Sequence, residues 1–367
     1  MRKERIGKIG YRICAVLAAA VSLWCMGDNL WPVVKENGAA WALRAAGLQA
    51  ATSQEVPQAE ASPAPQKEAV KETEPEATLL LTATPVPVQE ETDTELPVLP
   101  APTPDPERET AAVAATFMGG GEEINGFFVK DTSDSGLDLS EEILIDPDVH
   151  VKRDGSPVVL FYSTHTSEAY LQYESDWYYR DESFRTEEEE KSVVAVAKRA
   201  KDVIEAGVIH DTTRFDETYS GSYQRSMDAM QENLLKYPTI QITVDVHRDA
   251  FGEEDDGTRY KPVAEVNGEN AAQIMIMAGC DLSEDPLFPD WRENLHLALR
   301  LQQKGDLLYP GLFRPLFFAQ RNYNMHATHG SLLVEVGTEV NTQREADYAG
   351  KLLGETILAV LNDIAEE

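Results

Sequence analysis

The sequence predicts an α/β fold in which a largely parallel or mixed central sheet carries helices on both of its faces. Three observations predict it. Short runs of consecutive apolar residues, typical of strands buried on both faces, recur after residue 126. Longer stretches have apolar residues at helical spacing. The two kinds of segment alternate, which is typical of a sheet covered by its connecting helices.

The predicted elements follow one another from residue 158 to residue 364. The first strand, at 158–162, consists only of apolar residues and tyrosine, and the helix at 192–204 places valines and alanines on one face. A second helix at 222–235 leads to a central strand at 240–246. The remaining elements are a strand at 273–278, a helix at 291–303, a strand at 332–337 and a last helix at 343–364.

The first third of the chain has a different composition. Residues 1–12 are basic and residues 13–34 are mostly apolar, which is typical of a signal anchor or an export signal. Residues 35–125 are rich in Pro, Glu, Thr and Ala, a composition that favours an extended tether. We therefore expect a cytoplasmic basic tail (1–12), a transmembrane anchor (13–34), an extracytoplasmic tether (35–125) and a globular domain (126–367). The expected location is the cell membrane, with a single span and the globular domain outside.

The net charge argues against nucleic-acid binding, and the cysteine content excludes disulfides and cysteine-rich metal sites in the globular region. The formal net charge is −32, which makes a nucleic-acid partner improbable because phosphates would be repelled. Cys14 and Cys25 lie in the N-terminal apolar stretch, and Cys280 is alone in the globular region. The globular region therefore has neither an internal disulfide nor a cysteine-rich metal site.

Polar side chains occur at the ends of three predicted strands. His165 and Glu168 follow the first strand as a His-x-x-Glu pair, His247 ends the central strand, and Glu335 lies in the late apolar strand. Sites in open α/β sheets form beyond the carboxyl ends of the strands. Two histidines and one glutamate leave a fourth zinc position for water or substrate, as hydrolytic zinc sites require.

Each of these signals also has a structural explanation. His-x-x-Glu spacing could be a helix-capping hydrogen bond, His247 could be a core histidine with satisfied hydrogen bonds, and Glu335 could accept hydrogen bonds from the following loop. A carboxylate in an apolar strand is nevertheless costly to bury unless it is paired or used. The joint placement at three strand ends therefore favours a zinc hydrolase.

Several segments resemble a known family in order and spacing. The chain resembles stage II sporulation protein P, a family of cell-wall hydrolases related to the zinc-dependent N-acetylmuramoyl-L-alanine amidases. The resemblance covers residues 126–367 and the layout of the N-terminal third. The segments that carry it are 160–170, 208–213, 219–226, 244–250, 309–315 and 333–337, with Asn341 and Thr342.

One position departs from the family pattern. The family usually has His-Thr-His where this chain has Ser163, Thr164 and His165. The retained His165 makes the His-x-x-Glu spacing with Glu168. The resemblance, combined with this spacing, assigns the metal to His165, Glu168 and His247.

The resemblance implies a function and partners. It implies that 126–367 is a catalytic amidase domain that degrades septal peptidoglycan during engulfment in sporulation, by cleaving the N-acetylmuramoyl-L-alanine amide. It also implies cleavage of peptide cross-links, and as partners a lytic transglycosylase and a membrane scaffold. Glu335 would transfer the proton, and Arg248 would hold the developing oxyanion or a substrate carboxylate, unless it only pairs with Asp249.

Two other functions remain open at this point. Ser163 motivates an inactive amidase-like module that binds the wall or a partner without cutting. A zinc carboxypeptidase acting on wall peptides would use the same residue types. Cleavage products separate the enzymes, because only an amidase releases a whole stem peptide from the glycan.

Overall fold

The computed structural model describes residues 101–152 and 154–365. The strands are β1 (Thr110–Thr116), β2 (Glu122–Ile124), β3 (Phe127–Asp131), β4 (Val159–Tyr162), β5 (Trp177–Tyr179), β6 (Val208–His210), β7 (Ile242–Asp249), β8 (Arg259–Val266), β9 (Glu269–Ala272), β10 (Ile274–Gly279), β11 (Leu316–Ala319) and β12 (Gly330–Thr338). The helices are α1 (Leu139–Glu142), α2 (Val193–Ile204), α3 (Ser222–Lys236), α4 (Trp291–Leu308) and α5 (Gln343–Ile364).

Eight strands form the central sheet, in the order β2-β3-β11-β10-β12-β7-β4-β6. The pairs β12–β7, β7–β4 and β4–β6 at its centre and one edge are parallel, whereas β10 pairs antiparallel with β12. Because β4, β7 and β12 are parallel neighbours, their carboxyl ends meet at one edge of the sheet. The predicted α/β fold with a mixed central sheet is confirmed.

Helices cover both faces of this sheet, as the sequence predicts. Alternate strand residues, such as Val159 and Phe161 in β4, pack in the main core with α2, α4 and α5. The intervening residues Leu160 and Tyr162 pack against Met230 of α3 on the other face. This alternation is the two-residue period of a strand. The predicted central helices and strands are observed with shifts of a few residues at their ends.

The last helix packs closely against α2. A Cβ atom at Gly350 would lie 2.5 Å from the carbonyl oxygen of Val196, and one at Gly354 would lie 2.5 Å from that of Ala200. Only glycine allows the two backbones to approach this closely. The N-terminus of α5 is fixed by a reciprocal capping box between Thr342 and Glu345. The loop that follows β12 is thereby held in place.

The folded region begins earlier than the predicted boundary at residue 126. Strand β1 lies in a second, four-stranded sheet of order β5-β1-β8-β9, and β2 pairs with β3 at the edge of the central sheet. Both strands lie within the predicted tether (35–125). They were missed because β2 has only three residues and because β1 finds its partners, β5 and β8, far along the chain. The rest of the tether up to residue 100 lies outside the described residues.

The predicted single-pass membrane location is corrected. Among residues 101–152 and 154–365, no helix is both long enough and apolar enough to cross a membrane. The longest, α5, has 22 residues but contains charged side chains along its length, such as Arg344, Asp347 and Lys351. The predicted basic tail (1–12) and anchor (13–34) lie outside the described residues.

Asp306 gives a test of the fold that is independent of the site. Its half-buried carboxyl accepts a hydrogen bond from Gln302, and burial raises its pKa to about 6. The folded chain therefore keeps this proton over a pH range in which the unfolded chain has lost it, and stability falls as pH rises through about 6. Asp306→Asn removes the penalty and keeps an acceptor for Gln302. We expect it to stabilise the fold by about 1–2 kcal/mol at pH 8 and by almost nothing at pH 4. Urea unfolding at the two pH values checks this, and an equal gain at both would contradict the assignment.

Candidate active site

Polar side chains gather where β4, β7 and β12 end. His247 in β7 is in register with Glu335 in β12, so the two occupy neighbouring positions on the same face of the sheet. His165 and Glu168 lie in the turn that follows β4. The structure thus brings together four of the five site residues that the sequence predicts.

His165, Glu168 and His247 form a compact group, which we call the His–Glu cluster. All three side chains are buried. His247 Nδ1 lies 3.5 Å from Glu168 Oε2, and the two imidazole rings meet edge to face with centroids 5.4 Å apart. Burial opposes ionisation of Glu168, yet its pKa is lowered to about 2 by His247 and by Arg248 and Arg185. The carboxylate is therefore ionised at neutral pH.

Asp245, which the sequence prediction did not include, contacts both His247 and the turn that carries His165. It is fully buried two residues before His247, so both side chains lie on one face of β7. Its carboxylate accepts hydrogen bonds from the backbone N–H of Thr164 at 2.8 Å and from Thr164 Oγ1 at 2.7 Å. Its Oδ1 lies 2.9 Å from His247 Nε2. Burial lowers the pKa of His247, but Asp245 and Glu168 together hold it well above its ordinary value.

Glu335 is the acid of the site, partly buried in β12. Burial raises its pKa to about 8; His247 opposes this shift, and Asp249 and Glu168 add to it. Its Oε2 is buried and has no hydrogen-bond partner among the described residues. A buried carboxyl oxygen without a partner is costly, and such a cost is typical of functional positions. A carboxyl group with a pKa near neutrality can both accept and return a proton.

The side chains of the His–Glu cluster suit zinc in type, as two imidazoles and one carboxylate. In the part of the chain that the structure describes, His165 Nδ1 is buried without a hydrogen-bond partner, whereas His247 Nε2 faces Asp245 Oδ1 at 2.9 Å. Within residues 101–152 and 154–365, however, no group of three or more His, Cys, Asp or Glu is arranged to hold a metal ion. Zinc therefore stays a prediction that rests on the chemistry of these side chains.

Arg248 has different surroundings from those predicted. It alternates with His247 along β7 and points to the opposite face of the sheet. Its guanidinium is buried and donates to the carbonyl oxygens of Ala169 at 2.8 Å and Phe184 at 2.9 Å. It also lies 3.6 Å from the buried carboxylate of Glu339. These contacts occupy donors that the sequence prediction assigned to an oxyanion or a substrate carboxylate, and that assignment stays a prediction.

We expect Arg248→Ala to destabilise the fold by about 2–4 kcal/mol, because it leaves two carbonyls and the Glu339 carboxylate without this partner. Arg248→Lys keeps the charge with fewer donors and is expected to lose less. Urea unfolding of both variants measures the effect. If Arg248→Ala keeps its free energy of unfolding and loses only activity, Arg248 acts on the substrate after all.

A loop that the sequence prediction left out of the site closes it on one side. Tyr219 stacks on His165 with ring centroids 4.7 Å apart, and Tyr223, at the start of α3, meets the same imidazole edge to face. Arg185 lies 3.5 Å from Glu168 and 3.2 Å from Asp216, which belongs to this loop. These residues come from segments distant in sequence, and no spacing pattern in the sequence links them to His165.

Ser163, where the family usually has histidine, is buried directly after β4. Its Oγ lacks a hydrogen-bond partner in the described segments. Thr164 and His165, which follow it, make the contacts to Asp245 and His247 described above. The serine therefore leaves the contacts of the His–Glu cluster in place.

Comparisons with known proteins identify the family. The family model for Stage II sporulation protein P (SpoIIP) matches residues 47–358. Stage II sporulation protein P of Bacillus subtilis (strain 168) is 25% identical over 146 residues, which cover 37% of this chain and 33% of the relative. The matched region thus spans about a third of the relative's length.

Solved structures of low similarity were also found. The N-acetylmuramoyl-L-alanine amidase AmiC2 of Nostoc punctiforme is 14% identical, with a TM-score of 0.33, over 56% of this chain and 97% of the amidase. The CwlD amidase of Clostridioides difficile, solved in complex with the GerS lipoprotein, is 10% identical, with a TM-score of 0.32, over 55% of this chain and 99% of CwlD. Values this low support no functional statement about this chain. The family match covers most of the sequence, and the chain belongs to the Stage II sporulation protein P family.

Proposed function

We propose that this protein is a peptidoglycan hydrolase that cleaves the amide between N-acetylmuramic acid and the L-alanine of the stem peptide during sporulation. Its family supports the cell wall as substrate. The observation that carries the chemistry is the carboxyl of Glu335, whose Oε2 is buried without a hydrogen-bond partner among the described residues, in register with His247. Amide hydrolysis needs a group that takes a proton from water and delivers it to the leaving amine.

We further propose that His165, Glu168 and His247 hold a zinc ion. The unpartnered His165 Nδ1 and the ionised Glu168 carboxylate support this assignment. When bound, zinc supplies Lewis-acid polarisation of the scissile carbonyl. Asp245 holds the turn that carries His165 through Thr164, and it lies against the imidazole of His247. It would therefore orient both histidine ligands.

The chain's own residues then account for the proton transfers. A water molecule attacks the carbonyl carbon and gives a proton to Glu335. The bond from the carbonyl carbon to the amide nitrogen breaks, and the proton on Glu335 passes to that nitrogen, which leaves as the amino group of L-alanine. Burial raises the pKa of Glu335 to about 8, which makes its carboxylate a stronger base towards the attacking water.

The resemblance to the family extends the proposal to engulfment, to cleavage of peptide cross-links, and to a lytic transglycosylase and a scaffold protein as partners. A transglycosylase cuts glycan strands, so it complements an enzyme that removes the peptides from them. The full sequence carries 64 acidic and 32 basic residues, so a partner that docks on it through charge would present a basic surface.

Product analysis tests the proposal. The purified full chain is incubated with purified peptidoglycan and the soluble products are identified by mass spectrometry. We expect intact stem peptides with a free L-alanine amino terminus. Shortened stem peptides that stay attached to glycan would indicate the carboxypeptidase. Sedimentation with the wall without any product would indicate the inactive binding module.

A further inference from the structure

Tyr219 is an exposed aromatic residue beside the site. Its side chain is 67% exposed although one face of its ring lies parallel to His165, with an interplanar angle of 6°. The Arg185 guanidinium lies over the ring at 5.9 Å from its centroid, too far to cover it. A large aromatic ring that a protein leaves uncovered next to its site has a free stacking surface.

The loop that carries Tyr219 is held firmly. Phe215 is buried in the core beside α3, and Asp216 accepts hydrogen bonds from Thr166 and Ser167 in the turn that carries His165. Arg225 donates to the carbonyl oxygens of three loop residues, which are Phe215, Thr218 and Ser220. The exposure of Tyr219 is therefore built into the loop and does not result from looseness.

Two more tyrosines continue this aromatic surface. Tyr223 stacks on Tyr323, with ring centroids 5.5 Å apart. Tyr323 and Asn324 both have positive φ angles, of 41° and 62°, which are unfavourable for residues other than glycine. The Asn324 amide holds this geometry by donating to the carbonyl oxygen of Tyr223 at 2.8 Å and to Ser226 Oγ at 3.0 Å. Strained backbone of this kind persists where the surroundings enforce it, often at functional sites.

The charges around Tyr219 indicate which ligand fits. The Arg185 guanidinium already faces the carboxylates of Glu168 and Asp216, and the Arg225 guanidinium donates to backbone carbonyls of the loop. Both guanidinium groups therefore already have partners, and neither is left to pair with the carboxylates of an anionic peptide. A neutral sugar ring offers an apolar C–H face to the tyrosine, and its hydroxyl and acetamido groups can pair with polar groups nearby.

We propose that Tyr219 is a saccharide-binding residue, whose exposed ring stacks on a sugar of the glycan strand and so places the N-acetylmuramoyl amide at the site. This inference rests on the proposed function, because it assigns the glycan side of the same substrate. The Arg225 contacts position the loop, and Tyr219 makes the contact with the sugar.

Binding of a sugar that cannot be hydrolysed by an amidase tests this without depending on catalysis. The probe is chitotetraose, a soluble oligomer of N-acetylglucosamine, titrated into the full chain and followed by NMR. We expect Tyr219→Ala to weaken binding about five- to tenfold, the range expected for one aromatic stacking contact. Tyr219→Phe keeps the ring and is expected to bind as the wild type does. Tyr260→Ala, which removes an exposed tyrosine from β8, is the matched control and is expected to change nothing.

The outcomes separate this inference from the proposed function. Binding that depends on the Tyr219 ring supports it even if the protein hydrolyses no amide. Equal affinity of the wild type and Tyr219→Ala, or no binding of chitotetraose by the wild type, overturns it even if hydrolysis is found. If Tyr219→Ala instead weakens binding of a free stem peptide and leaves that of chitotetraose intact, the ring contacts the peptide and the inference is wrong.

Discussion

Replacing Glu335 with glutamine is expected to reduce amide hydrolysis by about 10³-fold, within the range that a positioned general acid–base group contributes. Glutamine has nearly the same shape but can neither take a proton from water nor return it to the leaving amine. The carboxyl group lies beside His247 in the neighbouring strand, and its Oε2 has no hydrogen-bond partner among the described residues. The rate of stem-peptide release from purified peptidoglycan measures the effect.

Glu265→Gln is the control for this variant, because Glu265 is an exposed strand carboxylate on β8. We expect it to leave the rate unchanged. Urea unfolding of Glu335→Gln shows whether the variant is folded. A folded Glu335→Gln protein that hydrolyses the amide at the wild-type rate would remove Glu335 from the mechanism.

Replacing either imidazole of the His–Glu cluster is expected to abolish zinc binding at micromolar metal. His165→Ala and His247→Ala each remove one of three ligands, and we expect the zinc affinity to fall by at least about 100-fold, since loss of even an outer-shell partner costs 10- to 100-fold. Equilibrium dialysis followed by elemental analysis gives the zinc content of each protein. The wild type is expected to bind about one zinc per chain.

His326→Ala is the matched control, because it removes an exposed histidine that only pairs with Asn322. It is expected to bind zinc as the wild type does. Loss of zinc in the His326 variant, or retention of a full equivalent in His247→Ala, would place the metal elsewhere. Zinc content is a direct readout of this assignment and does not require activity.

The central part of the fold could be predicted because its signals are local. Strand β4 consists only of buried residues, and α2 carries its valines and alanines on one face, so their periods identify them without partners. The four-stranded sheet could not be predicted in this way. Its strands β1 and β5 pair with segments far along the chain, and such pairings depend on tertiary contacts more than on strand propensity.

Part of the candidate site could also be predicted from local signals in the sequence. His165, Glu168, His247 and Glu335 follow or lie in apolar strands, so their convergence follows from the rule that sites lie at strand ends. That rule does not say which strands are neighbours. The register between His247 and Glu335 is therefore known only from the structure. Arg248 illustrates the limit, since the two-residue period of β7 places it on the other face from His247.

Tyr219 and Asp245 are both missing from the site that the sequence predicts, for two different reasons. Asp245 could have been found from the sequence, because it lies two positions before His247 in a predicted strand and so shares its face. Tyr219 could not, because its contact with His165 depends on the path of a loop. That path is set by the hydrogen bonds of Arg225 and by the Asp216 contacts to Thr166 and Ser167.

The most direct test of the account is the release of free L-alanine amino termini from purified peptidoglycan by the full chain, measured before chelation, after chelation and after zinc is restored. The account predicts release of whole stem peptides, its loss when the metal is removed, and its return with about one equivalent of zinc. Release that continues unchanged in chelator would contradict the zinc assignment, and no release under any of the three conditions would contradict the hydrolase itself.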